Sequence, residues 1–159
     1  MAVEIEKKFL LKNNNWRKLV AQSVRYKQGY FSTNKKSSIR IRVTDNSASL
    51  NIKSATLGIT RNEYDYPIPL DEAEEMLEQL CNRPLLEKTR HFLMHDGNKW
   101  EIDEFLGDNQ GLIVAELELE HPEQTFSKPD WLGEEVSDDP RYYNVCLVTH
   151  PYKDWGQNS

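Results

Sequence analysis

The chain has 159 residues, 38% of them hydrophobic and 29% charged, with a formal net charge of −6. That length suits one domain whose core needs no disulfides, and no apolar run reaches the roughly 20 residues that cross a bilayer. The acidic balance argues against a nucleic-acid surface, and the start Met1-Ala2-Val3-Glu4-Ile5-Glu6 lacks the basic and apolar regions of a signal peptide, so a cytoplasmic protein without membrane contact is expected.

In chain order, eight segments alternate apolar and polar residues with period 2, the mark of strands with two unlike faces. Val3 to Leu10 sets Val3, Ile5 and Phe9 against Glu4, Glu6 and Lys8. A helical stretch, Asn15 to Ser23, precedes a strand from Val24 to Phe31. Ser38 to Thr44 carries Arg40 and Arg42, Ser49 to Ser54 carries Asn51 and Lys53, and Thr60 to Ile68 carries Arg61, Glu63 and Asp65. Leu70 to Cys81 is a helix with an apolar stripe of Leu70, Ala73, Met76, Leu77 and Leu80. Acidic residues crowd its first turns, where the helix dipole favours them. Pro84 to Met94 carries Lys88 and Arg90, and a His95-Asp96-Gly97-Asn98 turn leads to Lys99 to Leu106 with Glu101 and Asp103. Leu112 to Glu120 then sets Glu116, Glu118 and Glu120 against Ile113, Ala115, Leu117 and Leu119. From Pro122 onward the chain reads as short helices and loops, and a polar tail after Pro151 is expected to be loosely ordered. No repeat or linker interrupts residues 1–159, which read as a single domain.

The ordinary reading of each alternating strand is an antiparallel sheet with its polar face in water. Across the set that reading weakens. Such a face tolerates Ser, Thr, Asn and Gln, yet Glu-x-Glu-x-Lys, Arg-x-Arg, Lys-x-Arg, Glu-x-Asp and Glu-x-Glu-x-Glu recur on one parity. Eight strands suffice to close a barrel without exposed edges. The fold class is therefore expected to be α+β: an eight-stranded antiparallel β-barrel with helices packed outside and charges lining a hydrated tunnel. Buried charges need partners, a metal or a ligand, so carboxylates mixed with cations suit an anionic ligand that arrives with Mg²⁺ or Mn²⁺.

Residues two apart on a strand share a face about 6.5 Å apart. Glu4 with Glu6, and Glu116 with Glu118 and the adjoining Glu120, can thus reach a common metal; Mg²⁺ is typically held by one or two carboxylates, water and phosphate oxygens. Glu101 and Asp103 can serve a second metal or orient water. Lys8, Arg40, Arg42, Lys53, Lys88 and Arg90 are the matching phosphate ligands. Arg61 lies in the same tunnel-facing set, where Glu63 reads as an ion-pair partner more than as a base.

Glu4-Ile5-Glu6-Lys7-Lys8 resembles the ExExK signature of the CYTH superfamily, the triphosphate tunnel metalloenzymes. The similarity continues through Gln28-Gly29-Tyr30, Arg40-Ile41-Arg42, Lys53, Arg61-Asn62-Glu63-Tyr64, Glu87-Lys88-Thr89-Arg90, Glu101-Ile102-Asp103, Glu116-Leu117-Glu118, Trp131 to Val136 and Arg141-Tyr142-Tyr143-Asn144. The resemblance implies metal-dependent attack of water on a triphosphate inside a tunnel. It implies Glu4, Glu6, Lys8, Glu116 and Glu118 as the catalytic set, and Glu4, Glu6, Glu116 and Glu118, with Asp103 adjoining, as metal ligands. Lys8, Arg40, Arg42, Lys53, Arg61, Lys88 and Arg90 would hold phosphates. Several relatives also place a lysine of a C-terminal helix at the tunnel mouth; here the corresponding stretch has none, and Arg141 is the substitute to test.

The expected activity is hydrolysis of inorganic tripolyphosphate to pyrophosphate and phosphate. The alternatives are an adenylate cyclase, a nucleoside or thiamine triphosphatase, and a polyphosphate-binding module without catalysis. A homodimer through an outer barrel face is compatible with the pattern, though no motif demonstrates it. His91, His95, His121 and His150 form no metal pair, and no serine sits in a nucleophile elbow. Tyr30 shares parity with Tyr26 and Gln28, so it either reaches the tunnel or packs the barrel. Trp16, Trp131 and Trp155 are expected on the exterior, and Cys81 and Cys146 as buried free thiols.

Overall fold

The computed structural model describes residues 2–31, 36–54 and 59–158. It contains nine strands: β1 (Ala2–Leu11), β2 (Gln22–Tyr30), β3 (Ser37–Val43), β4 (Ala48–Ser54), β5 (Thr60–Pro67), β6 (Leu86–His95), β7 (Asn98–Phe105), β8 (Ile113–Glu118) and β9 (Leu132–Glu135). The helices are α1 (Leu70–Gln79) and α2 (Asn144–Thr149). All strand pairs are antiparallel, in the order β5-β4-β3-β2-β6-β7-β8-β1-β9, and an additional β5–β1 pairing closes the sheet into a ring. β1 makes this closure. Its Ala2–Ile5 stretch pairs with β5, its Glu6–Leu10 stretch with β8, and Phe9 and Leu11 with β9.

Strand alternation sends apolar side chains outward, and three apolar clusters cover the ring. Ile5, Phe9, Trp100, Ile102, Ala115 and Leu117 of β1, β7 and β8 pack under Trp16, Leu119 and Trp131. Ile41, Val43 and Ala48 of β3 and β4 meet Ala73 and Leu77 of α1. Leu86, Phe105 and Val114 meet Tyr142 and Leu147 at the C-terminal end. Gly29 lets α1 approach: a Cβ there would lie 2.8 Å from Cys81 and from Leu77. No helix among the described residues is long and apolar enough to cross a membrane.

The strand expectations hold to within a few residues, with informative differences. β9 falls where only helices and loops were expected; four residues are too few to display alternation, and Gly133 is there because a Cβ would come within 2.8 Å of the Leu10 carbonyl oxygen. The stretch from Asn15 is a short 3₁₀ turn ending at Leu19, and β2 already starts at Gln22. β8 stops at Glu118. The first residues of the tail make defined contacts: Pro151 is buried, the Tyr152 N–H donates to Asn109 Oδ1 (2.9 Å), and the Trp155 ring meets Tyr142 and Tyr152 edge-on. Trp16 and Trp131 are fully buried exterior packing, and the thiols are free, Cys81 buried and Cys146 half-buried.

Candidate active site

The ring encloses a cavity of about 500 Å³. Glu4, Glu6 and Lys8 of β1, Arg40 and Arg42 of β3, Lys53 of β4, Arg61 of β5, Arg90 of β6 and Glu116 and Glu118 of β8 all line it. The charged parity therefore faces inward. Among the described residues, Ser38, Asn51, Glu63, Asp65, Glu101 and Tyr30 join the wall, as do Tyr143, Asn144 and Val145 at the start of α2.

The acidic side lies on β1, β7 and β8. Register sets Glu6 opposite Glu118 and Glu101 opposite Glu116, and like charges directly opposite destabilise a sheet unless something bridges them. Arg90 bridges the second pair, with Nη1 2.6 Å from Glu101 and Nη2 3.1 Å from Glu116. Lys8 Nζ also donates to Glu116 at 2.6 Å. Burial acts to raise the Glu116 carboxyl, but Lys8 and Arg90 hold it well below the usual carboxylate range. The first pair has no such bridge. Lys8 lies 3.4 Å from Glu6, and no ion pair reaches Glu118 from any described residue. Burial, then Glu116 and Glu4, outweigh Lys8 and push Glu6 up to about 7. Glu118 is likewise raised, by burial and by Glu4, Glu6 and Glu101.

The basic side lies on β3, β4 and β5, and its cations are compensated unequally. Lys53 Nζ sits 2.9 Å from Glu4 and 3.8 Å from Glu63, which fits the ion-pair reading of Glu63. Arg40 donates from Nε to Asn51 Oδ1 (3.0 Å), and Arg42 from Nε to Gln28 Oε1 (2.8 Å). Arg61 lies over the Tyr143 ring, 5.7 Å from its centroid. No described carboxylate pairs with any of these three arginines. Burial, with Arg40 and Arg90 nearby, pulls Arg42 down to about 10, as expected where positive charges crowd.

Several expected residues take other places. Lys88 and Asp103 do not appear on the cavity wall; both are fully buried behind it. Lys88 Nζ donates to Asp103 Oδ2 (2.7 Å) and Asn144 Oδ1 (3.1 Å), while Arg90 Nε donates to Asp103 Oδ1 (2.7 Å). With both oxygens taken, Asp103 anchors two cations and offers no open side for a metal, and Lys88 has no open approach to a phosphate. Burial pulls Lys88 down from the ordinary lysine range, and Asp103 pulls it back. Arg141 lies away from the cavity wall: it is exposed, holds Asp139 (2.7 Å) and stacks on Trp155. Tyr143 lines the cavity, its hydroxyl donating to the Ser137 carbonyl at 3.1 Å. Glu120 is exposed and away from the cavity wall. Tyr143, Asn144, Gln28 and Asn51 were missed as wall or supporting residues. Neutral side chains carry no parity signal of their own, although Gln28 and Asn51 do share the parity of the charges.

Glu4, Glu6 and Glu118 suit a hard divalent cation. They offer only oxygen donors, Glu6 and Glu118 face each other unbridged, and the buried Glu4 Oε2 has Lys53 Nζ at 2.9 Å as its neighbour. No three acidic, histidine or cysteine side chains among the described residues converge at ligand spacing.

Fold and site together define a class: an antiparallel ring whose interior sets arginines without carboxylate partners beside a group of carboxylates. The chain belongs to the CYTH domain family, whose model matches residues 2–143. It is 47% identical over 155 residues to the inorganic triphosphatase of Acetivibrio thermocellus, covering 98% of this chain and 99% of that one. The inorganic triphosphatase of Nitrosomonas europaea is 36% identical over 149 residues, covering 91% and 96%. A solved inorganic triphosphatase superposes with a TM-score of 0.65 at 30% identity, over 91% of this chain and 97% of that one. A Hippeastrum protein described as an adenylyl cyclase candidate with dominant triphosphatase activity shares the fold (TM-score 0.59, 18% identity, 77% and 81% covered), a likeness of fold alone.

Proposed function

We propose that this protein is a metal-dependent triphosphatase that hydrolyses inorganic tripolyphosphate to pyrophosphate and orthophosphate, acting in the cytoplasm with Mg²⁺ or Mn²⁺. The observation that carries the reading is that Arg40, Arg42 and Arg61, none of them paired with a described carboxylate, line one cavity together with Glu4, Glu6 and Glu118. Family membership and the two inorganic triphosphatases that align over nearly the whole chain support it.

Phosphoryl transfer is governed by positioning and charge neutralisation. Water adds to the terminal phosphorus, the bond to the bridging oxygen breaks, and pyrophosphate leaves with its electron pair while the water loses a proton. The arginines hold the phosphate oxygens as forks and Lys53 adds a point charge. Lys8 and Arg90, fixed by Glu116, Glu101 and Asp103, offset part of the negative charge of the acidic wall. Glu4, Glu6, Glu118 and, from its shared position, Glu116 are the residues that would hold metal. When bound, the metal neutralises phosphate oxygens and lowers the pKa of attacking water.

Purified protein incubated with tripolyphosphate, pyrophosphate, ATP or thiamine triphosphate and either metal distinguishes the activities. Orthophosphate release, fastest from tripolyphosphate, is expected. Cyclic AMP formed from ATP with little phosphate would transfer the reading to a cyclase, and binding without turnover would transfer it to a storage module.

A further inference from the structure

The arginines of the cavity are held in two different ways. Carboxylates meet Arg90 at every nitrogen: Asp103 at Nε (2.7 Å) and Nη2 (2.9 Å), Glu101 at Nη1 (2.6 Å) and Glu116 at Nη2 (3.1 Å). Among the described residues Arg40 and Arg42 each hydrogen-bond only through Nε, to a neutral amide, Asn51 and Gln28 respectively, and Arg42 also lies over the Tyr26 ring, 4.7 Å from its centroid. Both amides are buried, Asn51 at 3% exposure and Gln28 at 0%.

Register explains the arrangement. Arg40, Asn51 and Asp65 stand opposite one another across β3, β4 and β5. Asn51 accepts from Arg40 and donates from Nδ2 to Asp65 Oδ1 at 2.5 Å. A neutral group thus separates a cation from the carboxylate one strand further on. The neighbouring rung has no spacer: Lys53 faces Glu63 directly and reaches Glu4 as well. Gln28, opposite Arg42 on β2, spends its carbonyl on Arg42 and leaves Nε2 buried with no partner among the described residues. A buried amide nitrogen without a partner is costly, so this position is not optimised for packing. Glutamate there would pair with Arg42 and remove the stranded donor.

We propose that Asn51 and Gln28 are positioning residues that fix Arg40 and Arg42 through Nε while withholding counter-charge, so both guanidinium groups keep their charge for the phosphates of the ligand. A carboxylate at either place would hold the same nitrogen but neutralise the arginine in advance. The inference rests on the triphosphate reading above.

The test moves the charge while keeping the hydrogen bonds. The double variant N51D/D65N has unchanged net charge and can keep both contacts, with the amide now donating from position 65 to the carboxylate at position 51, but puts the carboxylate against Arg40. Q28E does the same to Arg42 independently and is nearly isosteric. Tripolyphosphate binding is measured by calorimetry in EDTA, where metal-dependent turnover is silent, alongside thermal unfolding without ligand. Each folded variant is expected to bind about tenfold or more weakly, the size of a lost charge-assisted contact, with KM raised in the metal-supported assay and kcat largely kept. Wild-type affinity in either folded variant overturns the inference. Failure of the wild-type protein itself to bind tripolyphosphate overturns the triphosphate reading, and is seen before any variant is compared.

Discussion

Breaking the Lys8–Glu116 pair tests whether the charged face is truly interior. The two side chains are 9% and 4% exposed with nitrogen and oxygen 2.6 Å apart. Removing one partner of a buried pair typically costs about 3–5 kcal/mol, because the other charge is left uncompensated. Here each partner retains a second contact: Lys8 keeps Glu6 at 3.4 Å, and Glu116 keeps Arg90 at 3.1 Å. The expected cost of Lys8→Met or Glu116→Gln is therefore near or below the lower end, about 2–3 kcal/mol. For a chain of this length that lowers the melting midpoint by roughly 4–12 °C. Urea unfolding followed by the fluorescence of the buried Trp16, Trp100 and Trp131 gives each value. The double variant is expected to lose less than the sum by about 1 kcal/mol or more, and the coupling should persist at high salt, which screens exposed pairs far more than buried ones. Single losses below about 0.5 kcal/mol that simply add are the behaviour of surface residues, and would refute the inward placement of this parity.

Other consequences concern parts of the molecule away from that pair. Arg141→Ala should leave KM for tripolyphosphate within about twofold of wild type, because its guanidinium is bound to Asp139 outside the cavity; a large rise in KM would return it to the tunnel mouth. Gly29→Ala should cost about 1–3 kcal/mol in chemical denaturation, since the new methyl meets Cys81 and Leu77 at 2.8 Å; unchanged stability would mean that α1 yields freely. Hydrogen bonds from Arg17 hold Glu104 below its ordinary value of 4.5. A depressed folded-state pKa adds stability that is present above the unfolded value and is lost as pH falls through the folded one. Melting midpoints recorded below pH 4.5 should thus fall less steeply in Glu104→Gln than in wild type; equal slopes would discount the Arg17–Glu104 contact.

Strand parity was legible because Glu4, Glu6, Lys8, Arg40, Arg42, Lys53, Arg90, Glu116 and Glu118 repeat at spacing two, and one face of a strand is set by spacing alone. Compensation was not legible, because it depends on which residue stands opposite on the next strand. Arg40 and Arg90 look alike in sequence, yet one faces Asn51 and the other Asp103. Depth was equally hidden. Lys88 and Asp103 share the inward parity but lie behind the wall, where Asn144 from the start of α2 accepts from Lys88. β9 and the docked tail escaped for a different reason: short segments held by distant partners, such as Gly133 on Leu10 or Tyr152 on Asn109, carry little local pattern.

The most direct measurement is the rate of orthophosphate release from tripolyphosphate by the purified protein, titrated with Mg²⁺ and with Mn²⁺ from an EDTA baseline. A charged interior that joins uncompensated arginines to metal-ready carboxylates predicts no turnover in EDTA and a saturable rise with metal, with pyrophosphate and orthophosphate formed in equal amounts. Absence of phosphate release at every concentration of either metal would contradict it.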